Sequence, residues 1–165
     1  MKKTILFKTL VDVLYFFHFF GLLGVFFILP FGVVTINQVE MNVEDWSFFF
    51  WTLAVVSLVA YIIFLRGLFY LRKMARFLLS NKYFSEQIII NLKKSGTYFL
   101  FTGILSFILI FLVWISKLTE DEFKLVYDIN FIIPLFLIII GMFFIIQSKT
   151  LFLAKNMKEE NELTV

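Results

Sequence analysis

Four long stretches of this sequence contain no Asp, Glu, Lys or Arg, and they constrain the fold more than any other feature. They cover residues 13–39, 46–65, 95–116 and 129–148. Each holds about twenty or more residues, enough at about 1.5 Å rise per helical residue to cross a hydrocarbon layer about 30 Å thick. A mean hydropathy of +0.95 and 25 phenylalanines exceed what a soluble domain of 165 residues could bury. The sequence therefore predicts an integral membrane protein.

The predicted fold is all-α, an integral membrane four-helix bundle in which residues 1–165 form a single domain. We place the spans at about 10–34, 46–70, 95–116 and 129–150, with a cytoplasmic hairpin at 71–94 and a cytoplasmic tail at 151–165. Runs such as FIIPLFLIIIGMFFII lack the period-two alternation of a transmembrane β-barrel. The Lys-rich start resembles a signal peptide, but its apolar block is too long and lacks a small-residue cleavage site, so it is interpreted as the first span.

The charges outside the spans separate by sign. Three segments are basic, and they contain Lys2, Lys3, Lys8; Arg66, Arg72, Lys73, Arg76, Lys82, Lys93, Lys94; and Lys149, Lys155, Lys158. The other two connectors carry Lys117 and Lys124 but are mainly acidic, with Glu40, Glu44, Asp45, Glu120, Asp121, Glu122 and Asp128. The positive-inside rule therefore predicts that both termini and the central connector are cytoplasmic.

The central connector is amphipathic when drawn as a helix. Its cations Arg66, Arg72, Lys73 and Arg76 fall within about a third of the circumference, and Tyr70, Leu71, Met74, Ala75, Phe77 and Leu78 take the opposite side. Span two is therefore expected to continue as a basic helix that breaks at Asn81 and Lys82. Ser85 is the predicted N-cap of the next helix, with Glu86 at its positive end and Ile88, Ile89 and Leu92 on one side.

The resulting helical hairpin presents apolar residues that need a partner. Three partners are open: anionic lipid, the protein's own tail, or another protein. The tail carries Lys155 and Lys158 followed by Glu159, Glu160 and Glu162. We hypothesise that these acids pair with the basic face of the hairpin.

Small and polar residues within the spans predict how the helices pack. They are Gly21, Gly24; Ala54, Ser57, Tyr61; Ser95, Thr102, Gly103, Ser106; and Asn130, Pro134, Gly141, Ser148. Spacings of three, four and seven keep most of them on one face of each helix, as in lipid-embedded bundles. Pro134 is expected to kink span four near its outer end.

Two ionisable residues are embedded in the first span. Asp12 lies at its inner boundary, and His18 lies deeper, beside Gly21 on the side expected to face the bundle. No acid or base on another span lies at the depth of His18, so we interpret it as a neutral, hydrogen-bonded imidazole. One histidine and no cysteine leave too few ligands for a metal site, and no HExxH, GxSxG or Gly-rich phosphate loop is present. We predict no catalytic, cofactor or metal residues and no enzyme activity.

Two stretches carry a family resemblance. They are KYFSEQIIINLKKSG, with Phe84, Ser85, Glu86, Leu92, Lys93, Lys94 and Gly96, and KEENELTV, with Glu159, Glu160, Asn161, Glu162, Leu163, Thr164 and Val165. The chain resembles the bacterial membrane family DUF2975, whose members are small four-span proteins. It departs from that pattern at Asn81-Lys82-Tyr83, where members often have a Gly-x-Pro/Ile-like turn. The resemblance implies a bacterial inner membrane, and genes of this family often lie beside one encoding a small helix-turn-helix transcription regulator.

Three hypotheses for function follow. The first is a non-enzymatic regulatory protein that binds or sequesters such a regulator and does not itself contact nucleic acid. Its predicted partner-binding residues are Arg72, Lys73, Arg76, Phe84, Ser85, Glu86, Lys93, Lys94, Glu159, Glu160, Asn161 and Glu162. The second is a transporter or channel subunit that uses Asp12 and His18 and, being small, forms homo-oligomers. The third is a structural module of the membrane surface, in which hairpin charge matters and sequence order does not.

Overall fold

The described part of the chain forms four long helices and one short β-hairpin. The computed structural model describes residues 2–28, 33–36, 39–42, 48–80, 84–118 and 131–163. Its elements are α1 (Lys2–Ile28), β1 (Val33–Ile36), β2 (Val39–Asn42), α2 (Phe48–Leu78), α3 (Glu86–Leu118) and α4 (Ile132–Leu163). All four helices are long and apolar enough to cross a membrane. The predicted all-α bundle of candidate membrane spans is confirmed.

Consecutive helices pack side by side and run antiparallel. The main contacts join α1 to α2, α2 to α3, and α3 to α4. Asp12 of α1 pairs with Arg72 of α2, whereas His18, further along α1, meets Tyr61, which is earlier in α2. In the same way, Gly96 approaches Gly141 and Gly103 approaches Pro134. One end of the bundle therefore gathers the start of α1, the end of α2, the start of α3 and the end of α4.

The turn between α2 and α3 is described on both of its sides, but the predicted break at Asn81 and Lys82 lies outside the described residues. α2 continues beyond residue 70 and ends at Leu78, where the N–H groups of Leu79 and Ser80 donate to the carbonyls of Arg76 and Phe77. α3 begins at Glu86, and Ile88 N–H donates to the Ser85 carbonyl at 3.0 Å and lies 3.4 Å from Ser85 Oγ. Ser85 is thus the N-cap, as predicted.

The apolar faces of the hairpin bury one another. Leu71, Met74 and Ala75 of α2 are buried, as are Ile88, Ile89 and Leu92 of α3. The core cluster at this level consists of Val11, Leu68, Leu71, Met74, Ile88, Leu92 and Phe99. The sequence alone gives no partner for the apolar face of the hairpin. In the structure, much of that face is buried within the molecule, against the facing helix.

Close approach of α3 and α4 depends on glycine. A Cβ on Gly96 would lie 2.7 Å from the carbonyl oxygen of Gly141, and one on Gly103 would lie 2.8 Å from that of Pro134. Between α2 and α3, the buried Ser95 hydroxyl donates to the Gly67 carbonyl at 3.0 Å. The predicted small-residue packing is present here, and it also includes Gly67 and Gly96, which the periodicity analysis did not select.

Two local expectations require correction. The predicted first span covers 10–34, but α1 ends at Ile28 and β1 begins at Val33, pairing antiparallel with β2 so that Val33 lies opposite Asn42. The β-branched run Val33-Val34-Thr35-Ile36 favours an extended strand. Pro134 is the third residue of α4, where a backbone N–H has no partner within the helix, so the predicted cause of a kink is absent.

Candidate functional site

The end of the bundle that holds the start of α1, the end of α2, the start of α3 and the end of α4 is rich in cations, and we call it the basic end. Its lysines and arginines in the described helices are Lys2, Lys3, Lys8, Arg66, Arg72, Lys73, Arg76, Lys93, Lys94, Lys149, Lys155 and Lys158. The helices that bring them together are separated in sequence but adjacent in the fold. The three basic segments of the sequence thus converge on one end of the molecule.

Asp12 binds two of these cations. Its Oδ1 accepts a hydrogen bond from Arg72 Nε at 2.6 Å, and its Oδ2 lies 2.7 Å from Lys8 Nζ. The side chains of Asp12 and Arg72 are 16% and 17% exposed, and the Arg72 guanidinium also lies 4.6 Å from the centre of the Phe16 ring. Arg72 therefore joins α2 to α1. Its Nε–H is engaged by Asp12, and its sequence-based assignment to a partner surface stays a prediction.

Lys73 and Lys94 both lie close to the ring of Tyr70, which itself stacks on Tyr98. Lys73 Nζ lies 4.8 Å from the centre of the Phe69 ring and 6.0 Å from that of Tyr70, and Lys94 Nζ lies 5.3 Å from that of Tyr70. The Tyr70 and Tyr98 rings stack at 5.5 Å with an angle of 6° between their planes. We call these four residues, Tyr70, Lys73, Lys94 and Tyr98, the tyrosine–lysine cluster. In the sequence, Tyr70 and Tyr98 lie at the two ends of the central basic segment, but their contact depends on how α2 and α3 pack.

The remaining predicted hairpin residues lie around the turn. Arg76, Glu86 and Lys93 are exposed, and Phe84 is 42% exposed. Ser85 is committed to capping α3. Exposed Phe77 adds a second aromatic ring on this part of the surface. The turn region therefore presents cations together with aromatic side chains that are not buried in the core.

The acidic residues of the tail belong to α4, which continues to Leu163 as a helix. Glu159 pairs with Lys155 at 3.6 Å and Glu162 pairs with Lys158 at 3.5 Å, each four residues apart on the same helix. Glu160 and Asn161 are exposed and also have interactions. The carboxylates of Glu159 and Glu162 are thus neutralised locally, and the hypothesised pairing with the hairpin lacks support at these two positions.

His18 faces α2, as predicted. Its ring centre lies 5.2 Å from that of Phe64 and 6.0 Å from that of Tyr61, and its Nδ1 lies 2.9 Å from the Leu14 carbonyl oxygen. The Tyr61 hydroxyl donates to the His18 carbonyl at 3.1 Å. Asp12 is instead paired with Lys8 and Arg72, so the geometry gives His18 and Asp12 separate sets of partners.

The fold and this end of the molecule define a class of small α-helical proteins with four candidate membrane spans and a cationic end. The comparison with protein families gives the family itself. The chain belongs to DUF2975, described as a protein of unknown function, which matches residues 22–165. A comparison with curated proteins found no match, and neither did a comparison with solved structures. The match includes all of α2, α3 and α4 and begins within α1, after Asp12 and His18.

Proposed function

We propose that this protein is a non-enzymatic regulatory protein of a bacterial inner membrane, with both termini in the cytoplasm, and that its basic end binds a small helix-turn-helix transcription regulator. Binding would hold the regulator at the membrane and away from DNA. Release would follow a cue from the membrane or envelope. The observation that carries the proposal is the packed α2–α3 hairpin, which presents cations and aromatic rings from an ordered scaffold.

The orientation is supported by the distribution of charge in the fold. The basic end collects cations from all four helices, whereas most of the acids in the connectors follow α1 and α3 in the sequence. Positively charged loops are retained in the cytoplasm during insertion. If the basic end faces the cytoplasm, it lies in the compartment where a DNA-binding protein could reach it.

The chemistry of the turn suits a protein partner. Exposed Arg76 adjoins exposed Phe77, exposed Phe84 precedes α3, and exposed Lys93 lies on the second turn of α3. Aromatic residues and arginine are enriched at protein interfaces. The turn would make the first contact, and the exposed Glu160 and Asn161 on α4 a second one. The family resemblance supplies the candidate partner, a regulator encoded in the neighbouring gene.

A two-hybrid assay between the full-length protein and the regulator encoded beside it tests the proposal. The double substitution Arg76→Gln with Lys93→Gln is expected to reduce the interaction by about tenfold or more, since it removes two exposed charges from the proposed interface. Transcription from the regulator's target promoter should change in parallel, as the released regulator reaches DNA.

The matched control is Lys2→Gln with Lys3→Gln, which removes two exposed cations from the same end but from α1. This variant should keep the interaction. Absence of any interaction with the unaltered protein, together with unchanged transcription when its gene is deleted, would refute the proposal.

A further inference from the structure

The tyrosine–lysine cluster brings two like charges to one aromatic ring. Lys73 belongs to α2 and Lys94 to α3, and both ammonium groups lie within 6.0 Å of the Tyr70 ring centre. Within the described part of the chain, neither ammonium is paired with a carboxylate. The ring attracts each cation, but the two cations repel one another, so a bound anion would be favourable between them.

The cluster lies where a membrane surface is expected. Tyr70 is the last residue of the predicted second span, and Lys94 immediately precedes the predicted third span. Tyrosine is enriched at the headgroup level, and lysine extends its ammonium towards the headgroups while its stem stays in apolar surroundings. The anion available at this depth is the phosphate of a phospholipid.

An apolar groove begins at the same cluster. It has a volume of about 280 Å³ and is lined by Ile63, Tyr98, Phe101, Ile104, Leu105 and Ile108. Tyr98 is shared, because it stacks on Tyr70 and also lines the groove. From Tyr98 to Ile108 the α3 backbone rises by about 15 Å, which is the depth of one leaflet of a hydrocarbon core about 30 Å thick.

We propose that the tyrosine–lysine cluster and this groove form a binding site for one anionic phospholipid. Lys73 and Lys94 hold its phosphate from two helices, while an acyl chain lies along the groove between α2 and α3. The lipid would bridge α2 and α3 at the base of the hairpin. The proposal does not rest on the proposed regulator binding, because its readout is lipid binding, whereas the regulator's proposed contacts are tested at Arg76 and Lys93.

Native mass spectrometry of the full-length protein in detergent tests the site by titration with phosphatidylglycerol and with phosphatidylcholine carrying the same acyl chains. The anionic lipid is expected to bind in one tight step. Lys73→Gln with Lys94→Gln should weaken that step by about 25-fold, since each lysine near an anionic lipid contributes about fivefold in affinity.

The matched control is Lys2→Gln with Lys3→Gln, which removes two exposed cations from the same end but from α1, outside the cluster. It should leave the tight step within about twofold, because long-range attraction between exposed charges is screened. Leu105→Trp, which fills the groove and keeps every charge, should also weaken lipid binding. Circular dichroism and gel filtration confirm that each variant is folded.

Three outcomes would overturn the proposal. The first is equal affinity for the two lipids, and the second is an equal loss in the cluster and control variants. The third is complete displacement of the lipid by millimolar inorganic phosphate together with unchanged binding in Leu105→Trp, which would indicate a free-phosphate site.

Discussion

Asp12 forms ion pairs with cations from two different parts of the chain, and it therefore links two helices through a single side chain. Lys8 lies one helical turn before it, whereas Arg72 reaches it from α2. Charges in such partly apolar surroundings are stable when they are paired and hydrogen-bonded. Asp12 thereby attaches the start of α1 to the end of α2 and fixes how the two helices meet.

We expect Asp12→Ala and Arg72→Ala each to lower the free energy of unfolding by about 2 kcal/mol, the usual loss for a hydrogen bond between charged groups. The double variant should lose about 3 kcal/mol rather than 4, because the interaction between Asp12 and Arg72 is already lost in either single variant and cannot be lost twice. SDS titration of the detergent-solubilised protein, followed by circular dichroism, measures all three.

The control at this scale is Lys158→Ala. Its pair with Glu162 is exposed and four residues apart, so its loss should change the free energy of unfolding by less than about 0.5 kcal/mol. Strict additivity of Asp12→Ala and Arg72→Ala would show that the pair does not couple α1 to α2.

At the scale of elements, the glycines between α3 and α4 set the distance between these helices. Gly96 and Gly103 are seven residues apart, and Pro134, Gly141 and Ser148 repeat the same spacing on the facing helix. A repeat of seven keeps small residues on one face of a helix over several turns. In apolar surroundings, such close backbone approach supplies the packing that drives helix association.

We expect Gly96→Ala and Gly103→Ala each to destabilise the bundle by about 1–3 kcal/mol, the cost of overpacking. The added methyl group would lie 2.7 Å from the Gly141 carbonyl oxygen in the first variant and 2.7 Å from Ile138 Cγ1 in the second. The same SDS titration measures the loss.

Gly24→Ala is the matched control. Among the described residues, no heavy atom beyond its chain neighbours and the adjoining backbone of α1 lies within 4 Å of the position that its Cβ would take. Alanine should therefore leave stability unchanged or raise it by up to about 1 kcal/mol through its helix propensity. Equal behaviour of Gly24→Ala and Gly103→Ala would mean that the α3–α4 contact does not limit stability.

The elements were predictable from sequence to the extent that their signals are local. Charge-free stretches predicted four apolar helices, and Ser85 followed by Glu86 predicted the start of α3. The pair of Arg72 with Asp12 joins residues 60 positions apart, so no periodicity could reveal it. Periodicity identified the apolar faces of the hairpin, but that they cover one another depends on how α2 and α3 dock.

The candidate site divides in the same way. The lysine and glutamate spacing of four in the tail could have predicted its local ion pairs, since such pairs are neighbours on a helix. The tyrosine–lysine cluster could not be assembled from sequence, because it requires Tyr70 and Tyr98 to meet across two helices. The β-hairpin of Val33–Ile36 and Val39–Asn42 was missed because its apolar residues continue the hydrophobic stretch of α1.

At the scale of the whole molecule, the collection of cations at one end predicts a single orientation. The chain contains no cysteine, so single cysteines introduced at chosen positions report exposure without a background. In intact cells, a membrane-impermeant maleimide should label Glu44→Cys and Glu120→Cys in the acidic connectors. It should label Ser80→Cys and Lys158→Cys only after the inner membrane is opened.

Each of these four positions also serves as a control for the others, because labelling of all four after permeabilisation shows that every cysteine is reactive. Labelling of Lys158→Cys in intact cells would reverse the proposed orientation. The basic end would then face away from the cytoplasm, and the proposed regulator could not reach it.

The uninterrupted course of α4 to Leu163 has a mechanical consequence. If the bilayer ends near residue 150, the remaining thirteen residues form a stiff post about 20 Å tall, because each helical residue adds about 1.5 Å. A disordered tether would sweep through a volume, whereas a post holds its acidic tip at a fixed height above the headgroups. Any molecule that touches both this tip and the turn between α2 and α3 must fit the fixed distance between them, so the post selects its partners by size.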